Sequence, residues 1–263
     1  MLCLETEMNS NWAAGRVAFI TGATSGFGAA LARRVVRGGG KAIATGRRIE
    51  RLAALATELG GNLLPRPLDI RDEKAVRATL EGLPAEFSGI DILFNNAGLA
   101  LGMNKAPATE LRDWKTMIDT NVTALVTVTD SILPGMVARN RGDIINMSSV
   151  AARYPYPGGN VYGATKAFVS QFSINLRADL LGTKIRVTSV EPGMCETEFS
   201  LVRFDGDEDA AKAVYKGLTP LSADDVALTV EGILQLPAHI NINVMELMPV
   251  QQAFAPFAVD RSN

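Results

Sequence analysis

The chain has 263 residues, is 47% apolar and 21% charged, and carries a formal net charge of -2, the profile of a soluble globular protein with room for one sizeable α/β domain. Lys and Arg are scattered rather than clustered, which argues against a nucleic-acid surface. The two cysteines, Cys3 and Cys195, form no disulfide or metal pattern.

The opening Met-Leu-Cys-Leu-Glu-Thr-Glu lacks the basic start and apolar run of a signal peptide. No uninterrupted apolar stretch reaches the length of a membrane span. The expected location is therefore the cytoplasm, with no membrane or nucleic-acid partner. Residues 1–13 read as an N-terminal tail before a single domain at 14–263, with Met8 an alternative start.

In chain order, residues 16–21 (Arg-Val-Ala-Phe-Ile-Thr) read as a buried strand. Residues 28–38 read as a helix with Leu31, Val35 and Val36 on its apolar side and a glycine stop. A second strand is expected at 41–45 and a second helix at 49–59, where Leu52, Leu55, Ala56 and Leu59 share a face. A weaker strand at 62–68 is interrupted by Pro65 and Pro67. A helix at 72–80, a strand at 90–94 ending in Asn95-Asn96-Ala97-Gly98, and a long helix at 114–136 follow. A strand at 143–148, a helix at 161–181 ended by Gly182, a strand at 184–190 and a last strand at 243–248 complete the pattern. This alternation implies right-handed βαβ units and a single-domain, Rossmann-like, doubly wound α/β fold, a parallel sheet of about seven strands with helices on both faces. The polar, glycine-containing stretch 193–217 reads as an irregular, mobile lobe over a binding site.

The first strand runs into Thr21-Gly22-Ala23-Thr24-Ser25-Gly26-Phe27-Gly28, directly before a helix. Glycines there let the backbone curl tightly and approach a pyrophosphate, while the helix N-terminus offers free N–H groups. The same turn also serves as a plain βα loop, and its spacing differs from Gly-x-Gly-x-x-Gly. Its place at the first βα crossover favours a dinucleotide. At the end of the second strand, Ala44-Thr45-Gly46-Arg47-Arg48 has no carboxylate to hold ribose hydroxyls. Two guanidinium groups suit a 2′-phosphate, so the expected cofactor is NADP(H) rather than NAD. Their alternative is a solvated start to the next helix. Asp69 is placed either to accept from the adenine amino group or to cap the helix near Asp72.

Tyr162 and Lys166 are four apart in a helical stretch, so they share one face. A free tyrosine, with a pKa near 10, is a poor base at neutral pH. A neighbouring ammonium and a positive nicotinamide ring would stabilise its phenolate. Ser149, at the end of a strand, is placed to hydrogen-bond a substrate oxygen. Alone, a Tyr and a Lys at this spacing are commonly a surface coincidence. The single histidine, His239, reads as a surface or structural residue in a turn, and no metal site is expected.

Together these features, with Asn121 and Pro192-Gly193, have the order and rough spacing of the short-chain dehydrogenase/reductase family, and the chain resembles that family over nearly its whole length. The resemblance implies that Tyr162 is the proton donor and acceptor. It also implies that Lys166 lowers the tyrosine pKa and binds the nicotinamide ribose, and that Ser149 orients the substrate oxygen. Asn121 would hold a water linking Lys166 to solvent. Thr24, Ser25, Phe27, Asp69, Ile70 and Asn96 would lie along the cofactor, with Pro192, Gly193, Met194 and Thr197 over the nicotinamide. Longer stretches, among them residues 96–102, 158–166 and 236–243, resemble the NADP-dependent 3-hydroxy acid dehydrogenases. That implies a substrate such as L-serine, L-allo-threonine or 3-hydroxypropionate (malonic semialdehyde in reverse).

Small anions need a cation. Arg203 is the first candidate, Arg153 the second, and Arg261 a residue placed to reach a neighbouring subunit. Tyr156 and Met194 are expected in the pocket wall or in core packing. The resemblance also implies a homotetramer or homodimer. Two rival readings are a reductase of sulfoacetaldehyde or another small carbonyl, and a non-catalytic NADP(H)-binding regulator.

Overall fold

The run Val17-Ala18-Phe19-Ile20 has no polar face, and its four residues are buried. Such a strand needs cover on both sides. In the computed structural model, which describes residues 11–254, it becomes a central strand of a parallel sheet. The elements in chain order are β1 (Val17–Ile20), α1 (Gly26–Arg37), β2 (Lys41–Gly46), α2 (Ile49–Leu59), β3 (Leu63–Pro67), α3 (Glu73–Glu81), α4 (Ala85–Ser88) and β4 (Ile90–Asn95). Then come α5 (Leu111–Ile118), α6 (Ala124–Arg139), β5 (Gly142–Met147), α7 (Asn160–Asp179) and β6 (Ile185–Pro192). The last are α8 (Glu198–Arg203), α9 (Glu208–Ala213), α10 (Ala223–Gln235) and β7 (Val244–Leu247).

Among the described residues the seven strands lie in the order β3-β2-β1-β4-β5-β6-β7, every neighbouring pair parallel. The expected doubly wound fold is therefore present. Alternate side chains feed two cores. Ile20, Phe94 and Ile145 pack beneath α1, α2 and α10, against Leu31, Val35, Leu52, Leu55, Val226 and Val230. Phe19, Leu93 and Ile144 face Val76, Val128, Ile132, Met136 and Leu176 on α3, α6 and α7. Burying each such side chain stabilises the fold by roughly 1.5–3 kcal/mol. β3 tolerates Pro65 and Pro67 because it is an edge strand, bonded only to β2.

The long helix expected at 114–136 runs from Leu111 to Arg139, with a π-helical turn at Asp119–Thr123. By length and hydropathy this segment passes as a membrane span. Here its inner side (Met117, Leu125, Val128, Ile132 and Met136) is buried in the protein. The π turn leaves Asn121 1% exposed, a common use of such turns at sites.

Three expectations need correction. The tail does not extend to residue 13. Ala13 is fully buried and Trp12 packs on the first core, its indole so close to Gly38 that a β-carbon there would lie 2.5 Å from the ring nitrogen. Residues 193–217 are not simply irregular, since they contain α8 and α9, capped by the side chains of Thr197 and Asp207. α10 was missing from the periodicity reading. It is tied to α1 by Arg34, which pairs with Asp224 (2.7 Å) and Glu231 (2.7 Å). Cys3, Met8 and Arg261 lie outside the described residues.

Ser222 and Asp225 start α10 with a reciprocal capping box, which satisfies two backbone donors at once. Ser222→Ala should therefore destabilise the protein by about 1 kcal/mol, read as a lower urea midpoint at unchanged slope.

Candidate functional site

In a parallel sheet the loops after the strands gather at one edge, and a crevice opens where strand order reverses. Here that is between β1 and β4, and a cleft of about 720 Å³ lies there. Its floor is the glycine turn. Gly22 (φ +68°) and Gly26 (φ +53°) adopt left-handed backbone conformations, which side chains disfavour. A β-carbon on Gly28 would lie 2.5 Å from the Gly22 carbonyl oxygen. Asn96 braces this turn, its Nδ2 donating to the carbonyls of Thr21 (2.9 Å) and Gly22 (3.2 Å). The N-cap of α1, Ser25, makes no capping hydrogen bond, and no acidic residue stands in the first turn. Helix α1 therefore presents bare N–H groups and its positive dipole end to the cleft, which suits a pyrophosphate.

Arg47 and Arg48 differ in their surroundings. Arg47 is exposed on the cleft wall. Arg48 folds over the turn, donating from Nε to Thr24 Oγ1 (3.1 Å) and from Nη2 to Ser25 Oγ (2.7 Å). Asp69 lines the cleft in an ion pair with Arg71 (2.5 Å). That bond holds its carboxyl below the usual range, against burial. The cap on α3 comes instead from Asp72, which accepts from the Ala75 N–H (3.0 Å). Phe27, Ile70, Met194 and Thr197 also line the cleft.

At the other end, α7 turns Tyr162 and Lys166 inward, 8% and 5% exposed. The Lys166 ammonium donates to the Met147 carbonyl (2.8 Å) and lies 5.8 Å from the Tyr162 ring centre. Burial pushes the Tyr162 phenol up to about 12, opposed by a hydrogen bond with Ser149 and by the charge of Arg203. Burial alone pulls Lys166 down to about 8. Ser149 Oγ also accepts from the Ala151 N–H (3.1 Å). Asn121 ties the loop after β4 to α7, donating to Leu99 O (2.9 Å) and Thr165 Oγ1 (3.0 Å). Its Oδ1 accepts from the Leu99 N–H (2.9 Å). Gly98 sits between Asn121 and Lys166, where a β-carbon would lie 3.2 Å from Asn121 Oδ1 and 3.4 Å from Lys166 Nζ.

Two of the three arginine candidates lie among the described residues, and these separate cleanly. Arg203 lies in the cleft, 5.6 Å from the Tyr162 ring centre and 5.4 Å from that of Tyr156. It donates to the Tyr156 hydroxyl (2.7 Å). Arg153 is occupied by Glu191 (2.6 Å), a fully buried carboxylate, so it is withdrawn from the substrate role. Arg261 lies outside the described residues. His239 is exposed and away from the cleft. The Cys195 thiol is pushed up to about 12 by burial and stays protonated. Residues that sequence reasoning missed include Gln252, whose Oε1 accepts from the Met194 N–H (2.7 Å), and Phe199, whose ring lies 5.7 Å from that of Tyr162. Both contacts span distant parts of the chain, and no local pattern signals them.

Residues 16–207 match the family described as short chain dehydrogenase. The chain is 57% identical over 244 residues to serine 3-dehydrogenase of Rhizobium radiobacter, covering 93% of this chain and 98% of that protein. It is 54% identical over 247 residues to the NADP-dependent 3-hydroxy acid dehydrogenase YdfG of Salmonella typhi, covering 94% and 100%. Among solved structures, the closed form of serine dehydrogenase complexed with NADP+ superposes with a TM-score of 0.92 at 54% identity, covering 94% and 100%.

Lys166 makes stability depend on pH in a definite direction. Its folded-state pKa of about 8 lies below the ordinary lysine value of 10.5, so between these pH values the unfolded chain binds the extra proton. Stability then rises with pH across that window. Wild type should gain stability over Lys166→Met between about pH 7 and about pH 9.5, measured as urea midpoints for both proteins. An equal response of the two would contradict the assignment.

Proposed function

The chain belongs to the short-chain dehydrogenase family, and from that membership we propose that it moves hydride reversibly between NADP(H) and the β-carbon of a small 3-hydroxy acid. It is an NADP-dependent oxidoreductase acting on CH–OH groups, as its relatives' names describe. The observation that carries the substrate reading is Arg203 standing over Tyr162, a cation beside the phenol at the end of a dinucleotide cleft.

The residues fit the cofactor. The glycine turn Gly22–Gly28 and the uncapped start of α1 suit the pyrophosphate. Arg47 and Arg48 suit the 2′-phosphate, with Asp69 and Ile70 at the adenine and Asn96 supporting the turn. Pro192, Gly193, Met194 and Thr197 form the wall at the nicotinamide end. When bound, NADP+ accepts the hydride and NADPH supplies it.

In oxidation, Tyr162 takes the substrate hydroxyl proton, and in reduction it returns that proton to the carbonyl oxygen. Lys166 favours the phenolate by its charge, and Ser149 donates to the substrate oxygen as negative charge grows there. Asn121 fixes the loop after β4 against α7 and supports the path by which Lys166 exchanges protons with water. Arg203 holds the carboxylate and so places the β-carbon. Burial of Tyr162 and Lys166 keeps bulk water from the reacting atoms.

The reading extends to a cytoplasmic homotetramer or homodimer. Supporting the oligomer are exposed apolar side chains on α5 and α7: Ile118 (43% exposed), Phe168 (40%) and Ile174 (43%). Exposed apolar surface is a common subunit contact.

Tyr162→Phe should lower turnover with a 3-hydroxy acid by about 10²-fold or more, while NADPH binding, followed by fluorescence titration, stays near wild type. Retained turnover would remove Tyr162 from its role. Arg203→Ala should raise KM for a carboxylate substrate by roughly tenfold or more and leave an uncharged ketone far less affected. An unchanged KM for the carboxylate would transfer anion recognition to another group.

A further inference from the structure

The adenosine end of the cleft holds a carboxylate among its arginines. Glu198, the first residue of α8, reaches from the opposite wall and pairs with Arg48 (2.7 Å) and with Arg51 (2.5 Å). Arg51 lies on α2, just beyond Arg47 and Arg48. Arg47 and Arg48 line the cleft, Arg51 stands beside them on α2, and one carboxylate already engages two of the three. Arg48 is well saturated, since its other donors go to Thr24 and Ser25. Arg47, by contrast, carries no hydrogen bond or ion pair to a described residue.

Glu198 is not there for want of a place in α8. Its neighbour Thr197 caps the helix through the Phe199 N–H (3.2 Å). All the groups in these pairs are more than a third exposed on their side chains, so the pairs are exchangeable rather than locked.

We propose that Glu198 competes with the cofactor's 2′-phosphate for Arg48 and Arg51, and so sets how strongly this site favours a phosphorylated dinucleotide. The inference rests on the NADP(H) reading above. A 2′-phosphate brings nearly two negative charges to this cluster. It must either displace the carboxylate or bear its repulsion. NAD+, which lacks that phosphate, meets neither cost. Arg47 then makes the first contact, and Arg48 and Arg51 are shared between the incoming phosphate and α8.

The test is calorimetric titration of the whole protein with NADP+ and, separately, with NAD+, for wild type, Glu198→Gln and Arg51→Gln. Glu198→Gln should lower the Kd for NADP+ by about three- to tenfold, the scale expected for exposed ion pairs, and leave that for NAD+ within about twofold. Arg51→Gln, which leaves Glu198 wholly to Arg48, should weaken NADP+ selectively. Unchanged or weaker NADP+ binding by Glu198→Gln would overturn the proposal. Equal tightening toward both dinucleotides would overturn it too, because the carboxylate would then act on the shared pyrophosphate. Wild type that binds no NADP+ at all would instead sink the cofactor reading.

Discussion

A sheet whose strands all run one way must carry its connections over the top, so every strand ends at the same edge. That constraint places Thr21 beside Asn96, and Ser149 beside Pro192, although these residues come from distant parts of the chain. The cleft is therefore the common terminus of the sheet rather than an addition to it. Under the proposed reading, the phosphates of a dinucleotide would lie where α1 begins, and the reacting end where β5 and β6 stop.

What keeps the reacting end in place is a set of buried polar contacts beneath it. Ser148 donates to the Lys166 carbonyl (2.8 Å) and lies 2.8 Å from the Ser170 hydroxyl. Ser170 donates to Glu191 (2.7 Å), and Arg153 completes that carboxylate's shell. A buried charge with hydrogen bonds on every side is costly to disturb. Together these bonds tie α7, β6 and the short turn after Ser149 into one unit. This also explains why Arg153, so close to Ser149 in sequence, is not free to meet substrate.

Much of this was legible in the chain. Unbroken apolar runs sufficed for β1 and β2, and apolar residues at helical spacing for α1 and α2, because each buries one continuous apolar set. The glycine turn, Arg47-Arg48 and the Tyr162–Lys166 spacing are local signals, and the fold brings them to a single cleft. α10 carries both a cap at Ser222 and Asp225 and an apolar stripe at helical spacing, Val226, Ala227, Val230, Ile233 and Leu234, so it was within reach of the same local reading. α8 and α9 escaped because six residues are too few to show a period. Residue 13 was misplaced since the indole of Trp12 finds its partner at Gly38, far along the chain. Glu198 carried no mark at all, since its meaning depends on which arginines face it across the cleft.

The buried phenol has one further consequence. Burial holds the Tyr162 phenol up to about 12, so in the protein alone it stays protonated at neutral pH. Under the proposed reading, a positive charge brought beside that phenol would favour its phenolate, and the desolvation that keeps the free phenol protonated would make such a charge act more strongly.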